Sequence, residues 1–392
     1  MNNIEKKYFK YYVYDTISAY HVFNNLYLPK GEVYKRFKIK RVFDYIGIKV
    51  KPNKSLLNTL LFLSVLEIPI SHFIELYYFI KCIYAKMVSN KEDIDKQIVL
   101  YGRGAFIEFS LFKKSHIDIN EVDVIVSPLN DNKMYESCNR KSLMTFVNYS
   151  ELVKALLLSF RVSCFLPRKY GYRDCYFRSY SSFPFFIVCY AFNHIDKDKT
   201  VLFTSLNDRW AYLFGHVMNK KLFIQHGALS ANFRNVGRIG TADVGYYFNE
   251  EQRDICNRKL FNNVPECRYM ETMTFTGNEK IANNGNLNLL LICYQHYFAN
   301  EKMVISELSK NRRINIYIKP HPTDNERGKY IELNRLYAFT ILDKKDYPKV
   351  DYVISYNSTL ALEYKMAGVK TLLYEDTSFN DEFEKIKCYF KD

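Results

Sequence analysis

Two stretches of this chain carry side chains that could hold a phosphate: Lys319-Pro320-His321-Pro322 and Ser355-Tyr356-Asn357-Ser358-Thr359. In the first, two prolines fix φ at about −65° and remove two N–H donors, which stiffens the turn around His321. Its imidazole could donate to a phosphate oxygen and, once protonated, offset the charge growing on a departing nucleotide. Lys319 could add a point charge, although a side chain at a strand end can face either way. The alternative is a satisfied structural histidine. In the second stretch, hydroxyls and backbone N–H groups at a helix start form an anion site favoured by the helix dipole. Plain N-capping by Ser358 or Asn357 is the compatible alternative. Glu363, one turn further on, could accept from a ribose or simply face solvent.

Both stretches follow strand-like runs, at 314–318 and 351–354. Around them, 288–293 reads as a buried strand, 301–308 as a helix, 329–336 as a short segment and 338–342 as a strand. A helix over 358–366 and a strand over 370–374 complete the pattern, with Gly368 where a C-terminal capping glycine belongs. Strands alternating with helices imply parallel βαβ units, whose ligands bind beyond the carboxyl ends of the strands. The middle third repeats this. Strands at 97–101, 122–126, 201–204, 222–225 and 244–248 surround a helix over 209–218 that Asn207 or Asp208 could cap. Asp208 could instead be a catalytic base or a nucleophile. His226 follows a strand and could be a general base or a phosphate donor. Gly227 and Gly102 would let a ligand approach the backbone. Gly102-Arg103-Gly104 departs from the dinucleotide fingerprint, because Ile107 takes the third glycine's place, and there is no P-loop.

The 392 residues, 48% of them hydrophobic, suit two domains with real cores. The divisions expected are a basic, aromatic, largely helical segment over 1–94 packing on the first domain, a first Rossmann-like domain over 95–284, and a second over 285–376. A last helix over 377–392 could cross back to the first domain. The net charge of +14 points to an anionic partner, and residues 30–54 concentrate it. Nine lysines and arginines there, from Lys30 to Lys54, face only Glu32 and Asp44, with aromatics interleaved. That pattern suits an anionic membrane surface or an ordinary solvated face. Nucleic acid is not expected, since zinc-finger spacing, RNP-like aromatics and arginine runs are missing. Nine scattered cysteines, an odd number without Cys-x-x-Cys, fit a reducing compartment. No secretory leader is evident, and the apolar stretch over 56–80 is too often interrupted to span a bilayer. It reads as one or two buried helices broken near Pro69. The expected location is cytoplasmic, at the inner face of the inner membrane.

The motifs resemble those of bacterial GT-B glycosyltransferases. More narrowly, they resemble the capsule and lipopolysaccharide transferases that use CMP-activated sugars, the sialyltransferases and Kdo transferases. His321-Pro322 is similar to their His-Pro motif, and Ser355 with Ser358-Thr359 to their Ser motif. His226-Gly227 and the Ser358, Thr359, Glu363, Gly368 helix are similar to features of related surface-polysaccharide transferases. The resemblance covers mainly 200–375. It lacks the acidic tripeptide of several sialyltransferases, and CDP-glycerol transferases share the His-Gly and His-Pro arrangement. It implies an α/β fold of two Rossmann-like domains facing a cleft, with a helical N-terminal extension. It further implies transfer of a 2-keto acid sugar (sialic acid or Kdo type) from a CMP donor to a glycan or lipid-linked oligosaccharide. No metal and no obligatory cofactor would be needed. A CDP-glycerol or UDP-hexose transferase of the same fold is the near alternative. A non-catalytic basic protein on membrane or nucleic acid is the alternative of another class.

Overall fold

The structure is a computed structural model and describes residues 3–25, 67–90, 93–103, 105–130, 133–170, 182–206, 208–229, 237–294, 297–321, 327–343, 345–356, 358–374 and 376–388. The basic stretch over 30–54 lies outside these, as do Gly104, Pro322 and Asn357. The chain divides into two units. The first is Met1–His226, Asn232–Tyr247 and Arg253–Arg268; the second is Gly227–Ala231, Phe248–Gln252 and Tyr269–Asp392.

The first unit opens with helices α1 (Asn3–Asn25) and α2 (Glu67–Val88). Strand β1 (Ile98–Tyr101), helix α3 (Ala105–Lys114) and strands β2 (Val122–Val126) and β3 (Asn139–Ser142) follow. Helices α4 (Tyr149–Tyr170) and α5 (Ser182–Asn193) lead to β4 (Thr200–Phe203), α6 (Arg209–Phe214) and β5 (Lys220–Ile224). Then come β6 (Gly240–Thr241), β7 (Val244–Tyr247), α7 (Glu250–Lys259), β8 (Phe261–Asn263) and β9 (Glu266–Tyr269). The main sheet runs β3-β2-β1-β4-β5-β7-β9, and its pairs from β3 through β7 are parallel. Its central strands β1 and β4 are apolar and buried along most of their length, as strands covered on both faces are. Val99, Val124, Val201, Leu202 and Phe223 have no exposed surface.

Residues 56–66 lie outside those described, and from Glu67 on α2 runs through Pro69 unbroken. The proline sits in the first turn, where no intrahelical N–H bond is forfeited. Nor is α2 wholly buried, since Phe73, Tyr77, Ile80 and Tyr84 are exposed. Helix α6 is shorter than the pattern over 209–218. It stops at Gly215, where an added Cβ would meet the Ile239 carbonyl oxygen at 1.8 Å. Close backbone passage, not the apolar period, sets that end.

The second unit carries β10 (Leu287–Cys293), α8 (Phe298–Leu308), β11 (Ile314–Pro320), α9 (Arg327–Asn334) and β12 (Thr340–Ile341). It continues with β13 (Tyr352–Ser355), α10 (Thr359–Met366), β14 (Lys370–Leu373) and α11 (Phe379–Lys387). The order is β12-β11-β10-β13-β14, parallel throughout. Gly368 follows α10 with φ of +82°, the left-handed conformation that its place demands. Two sequence boundaries move. Residues 269–284 join this unit because Met273, Phe275 and Ile281 pack with Leu290, Tyr317 and Val353. Helix α11 does not cross back: its Phe379, Phe383 and Ile386 face belongs to the core formed by Leu291, Leu308 and Leu372.

Candidate functional site

In the first unit the strand order reverses between β1 and β4, the point where open parallel sheets take ligands. Arg103, just beyond β1, is fixed there. Its Nη2 donates to Asp208 Oδ2 at 2.9 Å, its Nη1 donates to Ser205 Oγ, and its guanidinium lies 5.1 Å from the centre of the Trp210 ring. A cavity of about 280 Å³ opens at this point, lined by Tyr78, Tyr101, Arg103, Asn130, Arg209 and Trp210 among others. Trp210, the chain's only tryptophan, tilts against Tyr101 with centroids 4.9 Å apart. Flat rings beside forked donors suit a sugar, whose C–H face packs on the ring while its hydroxyls bond the rim.

Asp208 closes the cluster. Its Oδ1 accepts from the Trp210 and Ala211 N–H groups at 3.1 Å each, so it caps α6. Desolvation works to raise its pKa. Arg103, the Ala211 N–H and Arg209 outweigh it, and the carboxyl is held below its ordinary value. A carboxylate stabilised this way binds a proton poorly, and its geometry is that of a helix cap. His226 follows β5 at the same end of the sheet. It presents surface to solvent, and its Nδ1–H donates to the Thr204 carbonyl. That bond leaves Nε2 as the basic nitrogen of the neutral ring. Protein atoms crowding the ring lower its pKa, against the Thr204 carbonyl and Asp208, while Arg103 adds to the lowering. Gly102 is buried and serves packing: a Cβ would stand 2.8 Å from Val124 Cγ1 and 2.9 Å from the Tyr135 ring.

In the second unit the order reverses between β10 and β13. Ile292 is opposite both Lys319 and Ser355, so β11, β10 and β13 end at one level. The rings emerging there form a row. His321 is edge-on to Tyr294 at 5.1 Å, Tyr294 lies 5.1 Å from Tyr356, Tyr356 stacks on Tyr297 at 5.3 Å, and Tyr297 stacks on Tyr374 at 5.8 Å. Buried Glu301 anchors the row, its Oε1 accepting the Tyr294 N–H and its Oε2 the Tyr330 hydroxyl, each at 2.7 Å. His321 and the start of α10 thus share one rim, with the Tyr294 and Tyr356 rings between them.

The hydroxyls at this rim are largely spent on the fold. Ser355 has no exposed surface, and its Oγ donates to the Ile292 carbonyl at 3.2 Å, tying β13 to β10. Ser358 caps α10 by accepting the Ala361 N–H at 3.1 Å, and lies 3.3 Å from Ser355 Oγ. Thr359 Oγ1 accepts the Ala228 N–H at 3.0 Å, which fixes the segment that begins at Gly227. Glu363 lies half-buried beside Tyr347 and Tyr364. Lys319 is turned away from a phosphate role. It is buried, and its Nζ donates to the Asp343 carbonyl at 2.9 Å and the Asp346 carbonyl at 2.7 Å, with the Tyr347 ring 4.1 Å away. Sequence reasoning missed Trp210 and Tyr101 in the first unit and the tyrosine row in the second. The lone tryptophan after Asp208 was a usable signal; the tyrosines were not, among 34 in the chain.

No family model and no curated protein matches the chain. Among solved structures it is similar to the wall teichoic acid polymerase TagF (10% identity, 82% of this chain and 80% of that one, TM-score 0.38). It is also similar to UDP-GlcNAc 2-epimerase from Neisseria meningitidis (12%, 74% and 85%, TM-score 0.39) and to MurG from Acinetobacter baumannii (13%, 75% and 82%, TM-score 0.35). At this level of similarity, fold and function rest on the strand order and side chains described above.

Proposed function

We propose that the chain is a glycosyltransferase that binds a nucleotide-activated sugar on its second unit and the acceptor on its first. The observation that supports this is the shared strand order. In each sheet the strand order reverses at one point of the rim, and each such rim carries ligand-grade groups: the Trp210 cavity in one, His321 with the tyrosine row and capped α10 in the other. His226 Nε2 takes the proton of the acceptor hydroxyl as that oxygen bonds to the anomeric carbon. The bond from that carbon to the donor phosphate breaks, and the phosphate leaves with the electron pair. His321 and the N–H groups opening α10 meet the charge, and Glu363 takes the ribose.

The donor proposed is a CMP-linked 2-keto acid sugar, with CDP-glycerol and UDP-hexose as competitors. With Lys319 committed to carbonyls, an imidazole and a helix start suit one phosphate better than two. The acceptor proposed is a glycan or lipid-linked oligosaccharide, met at an anionic inner-membrane surface through residues 30–54 on the cytoplasmic side. Among the described residues no helix is long and apolar enough to cross a membrane. The test is a melting screen with CMP, CDP and UDP, followed by transfer assays. A nucleotide at 100 times its Kd adds about 2.7 kcal/mol. CMP should raise the melting temperature most, and Trp210→Ala should keep that rise while losing acceptor affinity. Indifference to all three nucleotides overturns the proposal, and a larger response to CDP or UDP reassigns the donor.

A further inference from the structure

Helix α2 presents an apolar stripe on its outer face. Phe73, Leu76, Tyr77, Ile80, Tyr84 and Met87 recur at three- and four-residue intervals, with Phe73 72%, Tyr84 68% and Met87 70% exposed. Its neighbour α4 adds Tyr149, Val153 and Leu157 on its own outer face. The two helices are packed together, with His72 Nε2 2.7 Å from Ser163 Oγ and the His72 ring 4.5 Å from that of Phe160. The charges on these outer faces have one sign. Lys81 on α2 and Lys154 and Arg161 on α4 are exposed, whereas the carboxylates Glu75 and Glu151 point inward and are buried. Monomer surfaces rarely expose so much contiguous apolar area without a use.

We infer that the α2–α4 face is a docking surface for an anionic lipid bilayer. Aromatic and aliphatic side chains enter the interface while Lys81, Lys154 and Arg161 meet the headgroups. Charge decides against a second copy of the chain: a two-fold contact sets each patch against itself, bringing these cations together with no exposed acid among the described side chains of either helix to answer them. The surface is distinct from residues 30–54 and does not depend on the donor assignment. It has a consequence for the acceptor, which rests on the function proposed above. Tyr77 faces out from α2, and the adjacent Tyr78 lines the Trp210 cavity. The helix that meets lipid therefore also walls the acceptor site, as a lipid-linked acceptor requires.

The test is flotation of the full chain with vesicles of phosphatidylglycerol and phosphatidylcholine, or of phosphatidylcholine alone, alongside light scattering. Wild type should float with the anionic vesicles and be monomeric without lipid. Lys81→Glu/Lys154→Glu/Arg161→Glu should lower partitioning by roughly a hundredfold or more, since each lost cation near an anionic surface costs about fivefold. Phe73→Ser/Tyr77→Ser/Tyr84→Ser should lower partitioning by a similar factor, down to whatever residues 30–54 supply, with an unchanged melting temperature and an unchanged response to nucleotide. Partitioning that neither variant lowers overturns the inference. So does a wild-type dimer that the serine variant dissolves, or a melting temperature that the serine variant lowers, which would show the face to be covered by the protein itself. Loss of the nucleotide response in wild type would instead strike the proposed function and leave the lipid surface standing.

Discussion

Glu75 offers a measurement whose size follows from the structure. It sits on the inner face of α2 with no exposed surface, and the Ser182 hydroxyl donates to its Oε1 at 2.6 Å. Burial raises its pKa from 4.5 to about 7, opposed by the hydroxyls of Ser182 and Ser159. A carboxyl whose pKa is raised by folding binds its proton more tightly in the native state. Its contribution is therefore full below pH 4.5 and is lost as pH rises to about 7. That interval, at about 1.4 kcal/mol per pH unit, amounts to about 3 kcal/mol. Glu75→Gln keeps an acceptor for Ser182 and cannot ionise. The variant should exceed wild type by about 1 kcal/mol near pH 5 and by about 3 kcal/mol at pH 8, the latter worth about 6–12 °C in Tm for a unit of this size. Urea or thermal unfolding of both proteins at the two pH values gives the difference, and titrations common to both cancel. A stability difference that does not change between pH 5 and pH 8 would refute the reasoning.

Two further substitutions separate chemistry from structure. His226→Gln should lower kcat by about 10²–10⁴. Because the ring's pKa is lowered from 6.5, chiefly by desolvation, the wild-type acid limb of kcat/KM should fall below pH 6.5 and be missing from the variant's profile. Lys319→Met should act on stability, because it leaves the Asp343 and Asp346 carbonyls without its ammonium. Chemical unfolding should show a loss of about 1–3 kcal/mol, with turnover of the folded fraction little changed.

The strands were legible where buried apolar residues predominate, as in β2, β10 and β11, each interrupted only by single polar residues such as Asp123, Asn288 and Asn315. β3, with the sequence Asn-Arg-Lys-Ser, was not, because an edge strand needs no apolar alternation. Helix α11 was visible as a helix, but the partner of its Phe379, Phe383 and Ile386 face could not be read, since an apolar stripe does not say which core it joins. At the site, the histidines and the α10 cap were readable because turn chemistry is local. The direction of Lys319 was not, since neighbouring strand residues face opposite sides and only the fold shows which side holds Asp343 and Asp346. The tyrosine row depends on three strand ends meeting at one level, a property of register and not of any one segment.

The sequence offered both Asp208 and His226 as catalytic bases, and the electrostatics favour His226. A base must be free of its proton at the working pH yet hold one well enough to take it from a hydroxyl. Asp208 starts from 3.8 and is pushed lower, so it meets only the first condition, and its oxygens are occupied by Arg103 and the α6 N–H groups. His226 starts from 6.5, close to neutrality, and desolvation lowers it, which favours the neutral ring at physiological pH. Arg103 connects the two. It is held by Asp208, and its charge disfavours protonation of His226. Asp208→Asn would loosen that guanidinium while its amide oxygen keeps the α6 cap and His226 keeps its Thr204 bond. A positioning role for Asp208 therefore predicts a shift of the pH profile with partial activity kept, and complete loss of turnover in a folded Asp208→Asn protein would return the carboxylate to the chemistry.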